Sequence, residues 1–120
     1  MPEKPNILFI MVDQMKASIL SLYSEIGIEC PEIERLAKEG VIFENAITPS
    51  PLCVPARTSI MTGKYPHSTG CRRNETLLPK NQNHAFKIWK EANYTTGLIG
   101  KNHCYVEKSD LDLFDVRLEI

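Results

Sequence analysis

The 120-residue sequence predicts an α/β fold with a mainly parallel sheet flanked by helices. A nearly continuous apolar run near the N-terminus is typical of a strand that is buried on both faces, as in parallel sheets. Segments with strand and helix character then alternate along the chain, which is the order that builds a parallel sheet. The composition, with 42% hydrophobic and 24% charged residues, is that of an ordinary globular domain.

The first half of the chain is predicted to contain a strand, two helices and a second strand. Residues 6–12 are the apolar run and are predicted to form the first strand. A short helix is expected near residues 17–23. Pro31 begins a helix that ends at Gly40, because proline is well tolerated in a first turn and glycine commonly ends a helix. Residues 41–47 are rich in strand formers and are predicted to be the second strand.

The second half continues with two helices and a third strand. Proline at the start and glycine at the end predict a helix over residues 55–63. Residues 64–83 are mostly polar and are predicted to form an irregular loop. Residues 84–92 have the pattern of a short amphipathic helix, and residues 94–99 that of the third strand. Residues 110–120 mix acidic and apolar side chains and give no clear prediction.

Charge, hydropathy and cysteine content exclude several classes of protein. The 14 Lys and Arg residues balance 15 Asp and Glu residues, so we expect no nucleic-acid partner. No apolar run approaches the roughly 18 residues that span a membrane, and no signal peptide is visible. We therefore expect a cytoplasmic chain, or a periplasmic or secreted one whose leader was removed. The four cysteines form no CxxC pair and are expected to be reduced thiols. No linker is visible, so residues 1–120 are expected to lie in one domain without an internal boundary.

Candidate functional side chains follow each predicted strand. Asp13 comes directly after the first strand, and Cys53 lies in the loop after the second. Lys101 and His103 follow the third strand. Ligands bind beyond the carboxyl ends of parallel strands, so we expect these side chains to converge on one rim of the sheet.

Cys53 and Arg57 are the most suggestive of these residues. With Pro55 at the first helical position, Cys53 lies beside unpaired backbone N–H groups and the positive end of a helix, where a thiolate or another anion is stabilised. Arg57 adds a permanent cation whose fork matches tetrahedral oxyanions. On these local features alone, a semi-buried cysteine near a surface arginine is the more common situation.

The remaining candidates also have ordinary interpretations. A carboxylate such as Asp13 is as often a turn or cap residue as a metal ligand. Lys101 does not lie in a phosphate-binding loop, because Asn102 stands where that motif has Ser or Thr. The histidines and cysteines match no standard zinc spacing.

Four separate blocks resemble the N-terminal part of the sulfatases, in the alkaline-phosphatase-like superfamily. They lie at residues 5–14, 36–45, 53–67 and 97–103. The element Cys-x-Pro-x-Arg followed by Thr-Gly is similar to the signature of that family. The resemblance implies an alkaline-phosphatase-like fold, and it implies that these 120 residues are the N-terminal portion of a longer catalytic domain.

The resemblance implies hydrolysis of sulfate esters. A formylglycine-generating maturation enzyme would convert Cys53 to formylglycine, whose hydrated aldehyde attacks the sulfur of the ester. Arg57 matches the arginine that steadies the hydrate. Lys101 matches a lysine that binds sulfate and the nucleophile, and His103 matches a histidine that orients the second hydroxyl. Asn74 lies where some relatives place a substrate-contacting asparagine.

The resemblance also implies a divalent metal, in most members Ca²⁺, with Asp13, Gln14 and residue 53 among its ligands. Gln14 stands where many members have a second aspartate, and Ala56 stands where the motif usually has serine. The Asp-Gln pair also occurs in members that are similar to choline sulfatases and phosphonate monoester hydrolases. A phosphonate or phosphate ester hydrolase is therefore the alternative function.

A non-catalytic fragment is the other alternative. The further metal ligands of the family lie downstream of Ile120, and calcium needs six or more oxygen ligands. We therefore expect the 120 residues alone to be inactive. An incomplete sheet would leave an open edge through which the chain self-associates. The partners implied by the resemblance are a sulfate-ester substrate and the maturation enzyme, without a nucleic acid or a membrane.

Overall fold

The computed structural model describes residues 4–80 and 82–120. The chain folds as two compact units, Met1–Ala46 and Ile47–Ile120. Whether both units belong to one domain, as the sequence predicts, stays a prediction.

Among the residues that the structure describes, the first unit contains one α-helix, α1, over Pro31–Glu39. Proline occupies the first helical turn and Glu32 and Glu34 follow it, where their negative charge is favourable at the positive end of a helix. The predicted helix is confirmed here. The helix expected near residues 17–23 is only a single 3-10 turn, Ala17–Ile19.

The two strands predicted over residues 6–12 and 41–47 are wrong. Residues 6–12 run without ladder hydrogen bonds and are exposed, with Leu8 85% exposed. Residues 41–47 are also exposed and are interrupted by a turn. An apolar run predicts burial, but a strand also requires a hydrogen-bonded neighbour. No described residue of this chain pairs with either segment in a ladder.

The second unit contains four helices among its described residues. They are α2 (Cys53–Thr62), α3 (Pro66–Thr69), α4 (Ala85–Glu91) and α5 (Lys108–Leu111). The predicted helices near 55–63 and 84–92 are confirmed as α2 and α4, whereas α3 interrupts the predicted loop. No helix formed by residues 4–80 or 82–120 is long and apolar enough to cross a membrane.

A two-stranded parallel sheet joins strand β1 (Gly97–Gly100) to strand β2 (Val116–Glu119). The third predicted strand, over residues 94–99, is confirmed in its second half as β1, and the parallel α/β class is confirmed with it. Asp115 fixes the register, because its backbone N–H donates to the Thr96 carbonyl at 2.9 Å while its carboxylate accepts from the Thr96 N–H at 2.8 Å. The strand β2 lies in the segment that gave no clear prediction.

Two core residues of the second unit, Cys104 and Tyr105, directly follow the candidate residue His103 in the sequence. Leu78, Cys104, Tyr105 and Phe114 are buried together, and Phe86 packs against them with its ring centroid 4.6 Å from that of Phe114. Burying a phenylalanine side chain stabilises a fold by roughly 1.5–3 kcal/mol. The segment that carries Lys101 and His103 is therefore attached to the hydrophobic core of this unit.

Candidate active site

Cys53 is the first residue of helix α2, and its side chain is half-buried. The first backbone N–H groups of a helix lack partners within the helix. Here the Val54 N–H donates to the side-chain oxygen of Asn74 at 3.1 Å. The sequence predicted Pro55 as the first residue of this helix, whereas it is the third. The difference is small in energy, because a proline anywhere in the first turn removes no helical hydrogen bond.

Arg57 links Cys53 to the segment that follows β1. The two residues are one helical turn apart and share a face. The Arg57 Nε–H donates to Cys53 Sγ at 3.0 Å, and Arg57 Nη1 donates to the carbonyl oxygen of Lys101 at 3.3 Å. The structure thus brings together three of the residues that the sequence singled out. An anion formed on residue 53 would lie against a permanent cation.

Lys101 and His103 are exposed on either side of Asn102. The Asn102 side-chain oxygen accepts from the N–H groups of Cys104 at 3.1 Å and Tyr105 at 3.0 Å, and its amide donates to the Tyr105 carbonyl at 2.6 Å. These three bonds hold the loop that carries both candidates. Asn102 is not among the candidate residues that the sequence predicted, although asparagine's tendency to bond the backbone two residues on is a signal for this role.

Asn74 lies next to the start of α2, where its side chain caps the helix. Its side-chain oxygen accepts the Val54 N–H, one residue after Cys53. Asparagine is among the residues best suited to satisfy such donors. Its position beside Cys53 is compatible with the expected substrate contact, which stays a prediction.

Asp13 and Gln14 form a turn in the first unit, and both are exposed. Gln14 has a φ of 59°, in the left-handed region that non-glycine residues seldom occupy. Such backbone strain costs about 1–3 kcal/mol and is concentrated at functional sites. The carboxylate and amide oxygens are ligands that Ca²⁺ accepts, but residues 4–80 and 82–120 hold no group of three or more His, Cys, Asp or Glu suited to a metal. A metal shared by Asp13, Gln14 and residue 53 stays a prediction.

Two further cysteines are buried against Thr58 of helix α2. Cys71 is fully buried and Cys104 is 5% exposed, and no disulfide joins any of the four described cysteines. Burial raises the pKa of Cys104 to about 11, so its sulfur keeps its proton at neutral pH. These thiols contrast with Cys53, which lies half-buried beside an arginine.

Comparison with known proteins identifies the family. The family model for sulfatases matches residues 5–111. An ulvan-active sulfatase of Formosa agariphila is 39% identical over 102 residues, which are 85% of this chain and 20% of that protein. An arylsulfatase of Clostridium perfringens is 40% identical over 107 residues, covering 88% of this chain and 22% of its own.

A solved structure shows the same fold. A protein in complex with its substrate D-glucosamine-2-N,6-O-disulfate aligns with a TM-score of 0.84 at 33% identity, over 94% of this chain and 22% of that one. The 120 residues therefore span about a fifth of the length of the relatives they match. On the match over residues 5–111 and on this shared fold, the chain belongs to the sulfatase family, with the alkaline-phosphatase-like fold that its motifs predicted.

Proposed function

We propose that this chain is the nucleophile-bearing part of a sulfatase that hydrolyses sulfate esters. The observation that carries the proposal is the pair of contacts made by Arg57, 3.0 Å to Cys53 Sγ and 3.3 Å to the Lys101 carbonyl. These contacts join two separate blocks of the family motif. The relatives that match are named sulfatases, which supports the same reaction.

The reaction requires residue 53 in a modified form. A maturation enzyme would convert Cys53 to formylglycine, whose hydrate supplies a hydroxyl nucleophile. In this proposal Arg57 holds the side chain of residue 53 in place and balances negative charge on it. The half-buried position of Cys53 at a helix start gives a further source of positive potential there.

Three other residues would bind the ester and move protons. The Lys101 ammonium is an exposed cation suited to a sulfate group. His103, exposed two residues further on, has an imidazole that can accept or donate a proton in the reaction. Asn74, beside the start of α2, would contact the substrate with its amide.

We propose that Asp13 and Gln14 contribute oxygen ligands to a divalent metal, with Ca²⁺ favoured by their hard oxygens. Bound metal supplies a Lewis acid for the ester oxygens. Glutamine brings a neutral oxygen where a second aspartate would bring a charge, so metal affinity should be lower than with two carboxylates. Calcium takes six to eight oxygens, so most ligands have to come from elsewhere.

The proposal specifies the sulfate group of the substrate and not the alcohol to which it is esterified. The relatives are named for different substrates, among them ulvan, N-acetylglucosamine 6-sulfate and steryl sulfates. An aryl sulfate is the appropriate first probe, because it tests the sulfate group with little demand on the alcohol pocket.

The test uses the natural polypeptide that contains this chain, produced with a maturation enzyme and Ca²⁺. We expect it to release sulfate from 4-nitrophenyl sulfate and the Cys53→Ala variant to release none. Cys30→Ala is the matched control, because Cys30 is also half-buried and has no role in the proposal, and it should keep full activity. Higher kcat/KM for a phenyl phosphonate monoester would favour the alternative function. No hydrolysis of either ester by mature protein would refute the proposal.

A further inference from the structure

A chain of buried and partly buried hydrogen bonds links segments of the second unit that carry candidate residues. Thr58 is fully buried in α2, and its hydroxyl oxygen lies 3.5 Å from Cys71 Sγ and 3.6 Å from Cys104 Sγ. Cys71 Sγ in turn lies 3.1 Å from the carbonyl oxygen of Thr76. Polar groups from three separate segments therefore meet at one threonine hydroxyl.

The direction of these bonds follows from counting hydrogens. A carbonyl oxygen only accepts, so the Cys71 S–H donates to Thr76. The single Thr58 hydroxyl hydrogen is donated to Cys71. The Thr58 oxygen must then accept from the remaining thiol, which makes Cys104 the donor. The result is a one-way chain from Cys104 through Thr58 and Cys71 to Thr76, in which each hydrogen is used once.

This chain joins three of the segments that carry the proposed active-site residues. Thr58 directly follows Arg57 on α2, and Cys104 directly follows His103. Cys71 lies three residues before Asn74, whose side chain caps α2. The two bonds made by Thr58 are buried, so water does not compete for them. Rotating the Thr58 hydroxyl away would leave the Cys104 S–H without its acceptor and would remove the donor to Cys71.

We propose that Thr58 is a positioning residue: its hydroxyl, held between the thiols of Cys71 and Cys104, sets the position of Arg57 relative to the Lys101–His103 loop. This inference rests on the proposed function, since those residues are the ones that would bind sulfate and the nucleophile. It requires Cys104 to remain a protonated thiol. The burial of Cys104, which raises its pKa to about 11, meets that requirement at neutral pH.

The test compares Thr58→Val with Thr58→Ser in the full natural protein. Valine has nearly the same shape as threonine but has no hydroxyl, whereas serine keeps the hydroxyl and loses a methyl group. We expect Thr58→Val to lower kcat on an aryl sulfate by at least about 10-fold, because small misplacements of catalytic groups are costly. Thr58→Ser should stay within about threefold of the parent, and formylglycine content at residue 53 should be equal in all three.

Thr62→Val is the matched control. Thr62 lies on the same helix, and its hydroxyl donates to the Thr58 backbone carbonyl at 2.7 Å, outside the chain of thiols. It should keep kcat within about twofold. Equal losses in Thr58→Val and Thr58→Ser would assign the effect to packing and would overturn the proposal.

A second pair of variants covers the case in which Thr58→Val does not fold. Cys104→Ser keeps a donor toward Thr58, whereas Cys104→Ala removes it. We expect the serine variant to keep at least about threefold more kcat than the alanine variant. Equal activity of the two would overturn the proposal.

A readout that needs no sulfatase activity separates this inference from the proposed function. In protein made without the maturation enzyme, alkylation of Cys53 by iodoacetamide depends on the guanidinium held 3.0 Å from its sulfur. Thr58→Val should slow this alkylation by at least about twofold, and Thr62→Val should leave it unchanged. If the parent protein is inactive but Thr58→Val still slows alkylation, only the proposed function is refuted. Equal alkylation rates in the parent and Thr58→Val would refute the positioning role.

Discussion

Replacing Arg57 with lysine is expected to lower kcat/KM for a sulfate ester by about 10-fold or more. The guanidinium donates through two different nitrogens, to Cys53 Sγ at 3.0 Å and to the Lys101 carbonyl at 3.3 Å. Lysine keeps the charge but has one nitrogen at the end of a flexible chain, so it cannot hold both partners in this geometry.

The magnitude follows from the loss of one such contact. A hydrogen bond from a charged donor contributes about 1.5–3 kcal/mol, which corresponds to roughly 10- to 150-fold in rate. The Arg57 contact with Lys101 is solvent-exposed, which places the expected loss near the lower end of that range. The assay is steady-state hydrolysis of 4-nitrophenyl sulfate, normalised to the formylglycine content of each preparation.

Arg35→Lys is the matched control for this substitution. Arg35 forms ion pairs with Glu32 at 3.1 Å and Glu39 at 3.2 Å on the surface of α1, and its side chain is 57% exposed. Exposed pairs of this kind contribute about 0.3–0.5 kcal/mol, so activity should stay within about twofold. An Arg57→Lys enzyme that is fully matured and also within twofold of the parent would refute the role given to Arg57.

Three further predictions concern stability and metal binding. Burial lowers the pKa of His84 in the folded chain, although Asp110 at 3.4 Å opposes this effect, so the unfolded chain binds the proton more readily. Stability should therefore fall as pH drops below about 6.5, and the melting temperature of His84→Gln should fall less over that range than that of the parent. Gly63 ends α2 with a φ of 66°, so Gly63→Ala should lower the free energy of unfolding in urea by about 1 kcal/mol. Gly97→Ala in β1 should lower it less, because the added Cβ would lie 3.9 Å from the nearest atoms of Val116; equal losses would contradict the strain argument. Gln14→Asp should tighten Ca²⁺ binding at least about threefold by calorimetry on the natural protein, because it adds a negative charge, and unchanged affinity would exclude Gln14 as a ligand.

Helices and the strand β1 could be predicted because their signals are local. Proline at the start and glycine at the end mark α1 and α2 without reference to the rest of the chain. The apolar residues 6–12 carry an equally clear local signal, yet strand formation depends on a pairing partner, which a sequence window does not contain. Strand β2 was missed for the complementary reason, since its order comes from pairing with β1 and from the contacts between Asp115 and Thr96.

The site shows the same division between local and long-range information. The i, i+4 spacing of Cys53 and Arg57 on a helix predicts their proximity, and the structure confirms their contact. Nothing in the spacing of Thr58, Cys71 and Cys104 predicts that they meet, because residues 13 and 46 positions apart come together only through packing. Motif spacing therefore identifies the groups that we propose to act on a substrate, whereas the groups that we propose to position them emerge only in the folded chain.

Tandem mass spectrometry of the peptide that contains residue 53 shows whether this residue supplies the nucleophile in a modified form. The natural protein, isolated from its own host, is digested and the state of residue 53 is determined. We expect formylglycine at position 53, with unmodified thiols at Cys30, Cys71 and Cys104. An unmodified Cys53 in a preparation that hydrolyses aryl sulfate would contradict the proposed nucleophile.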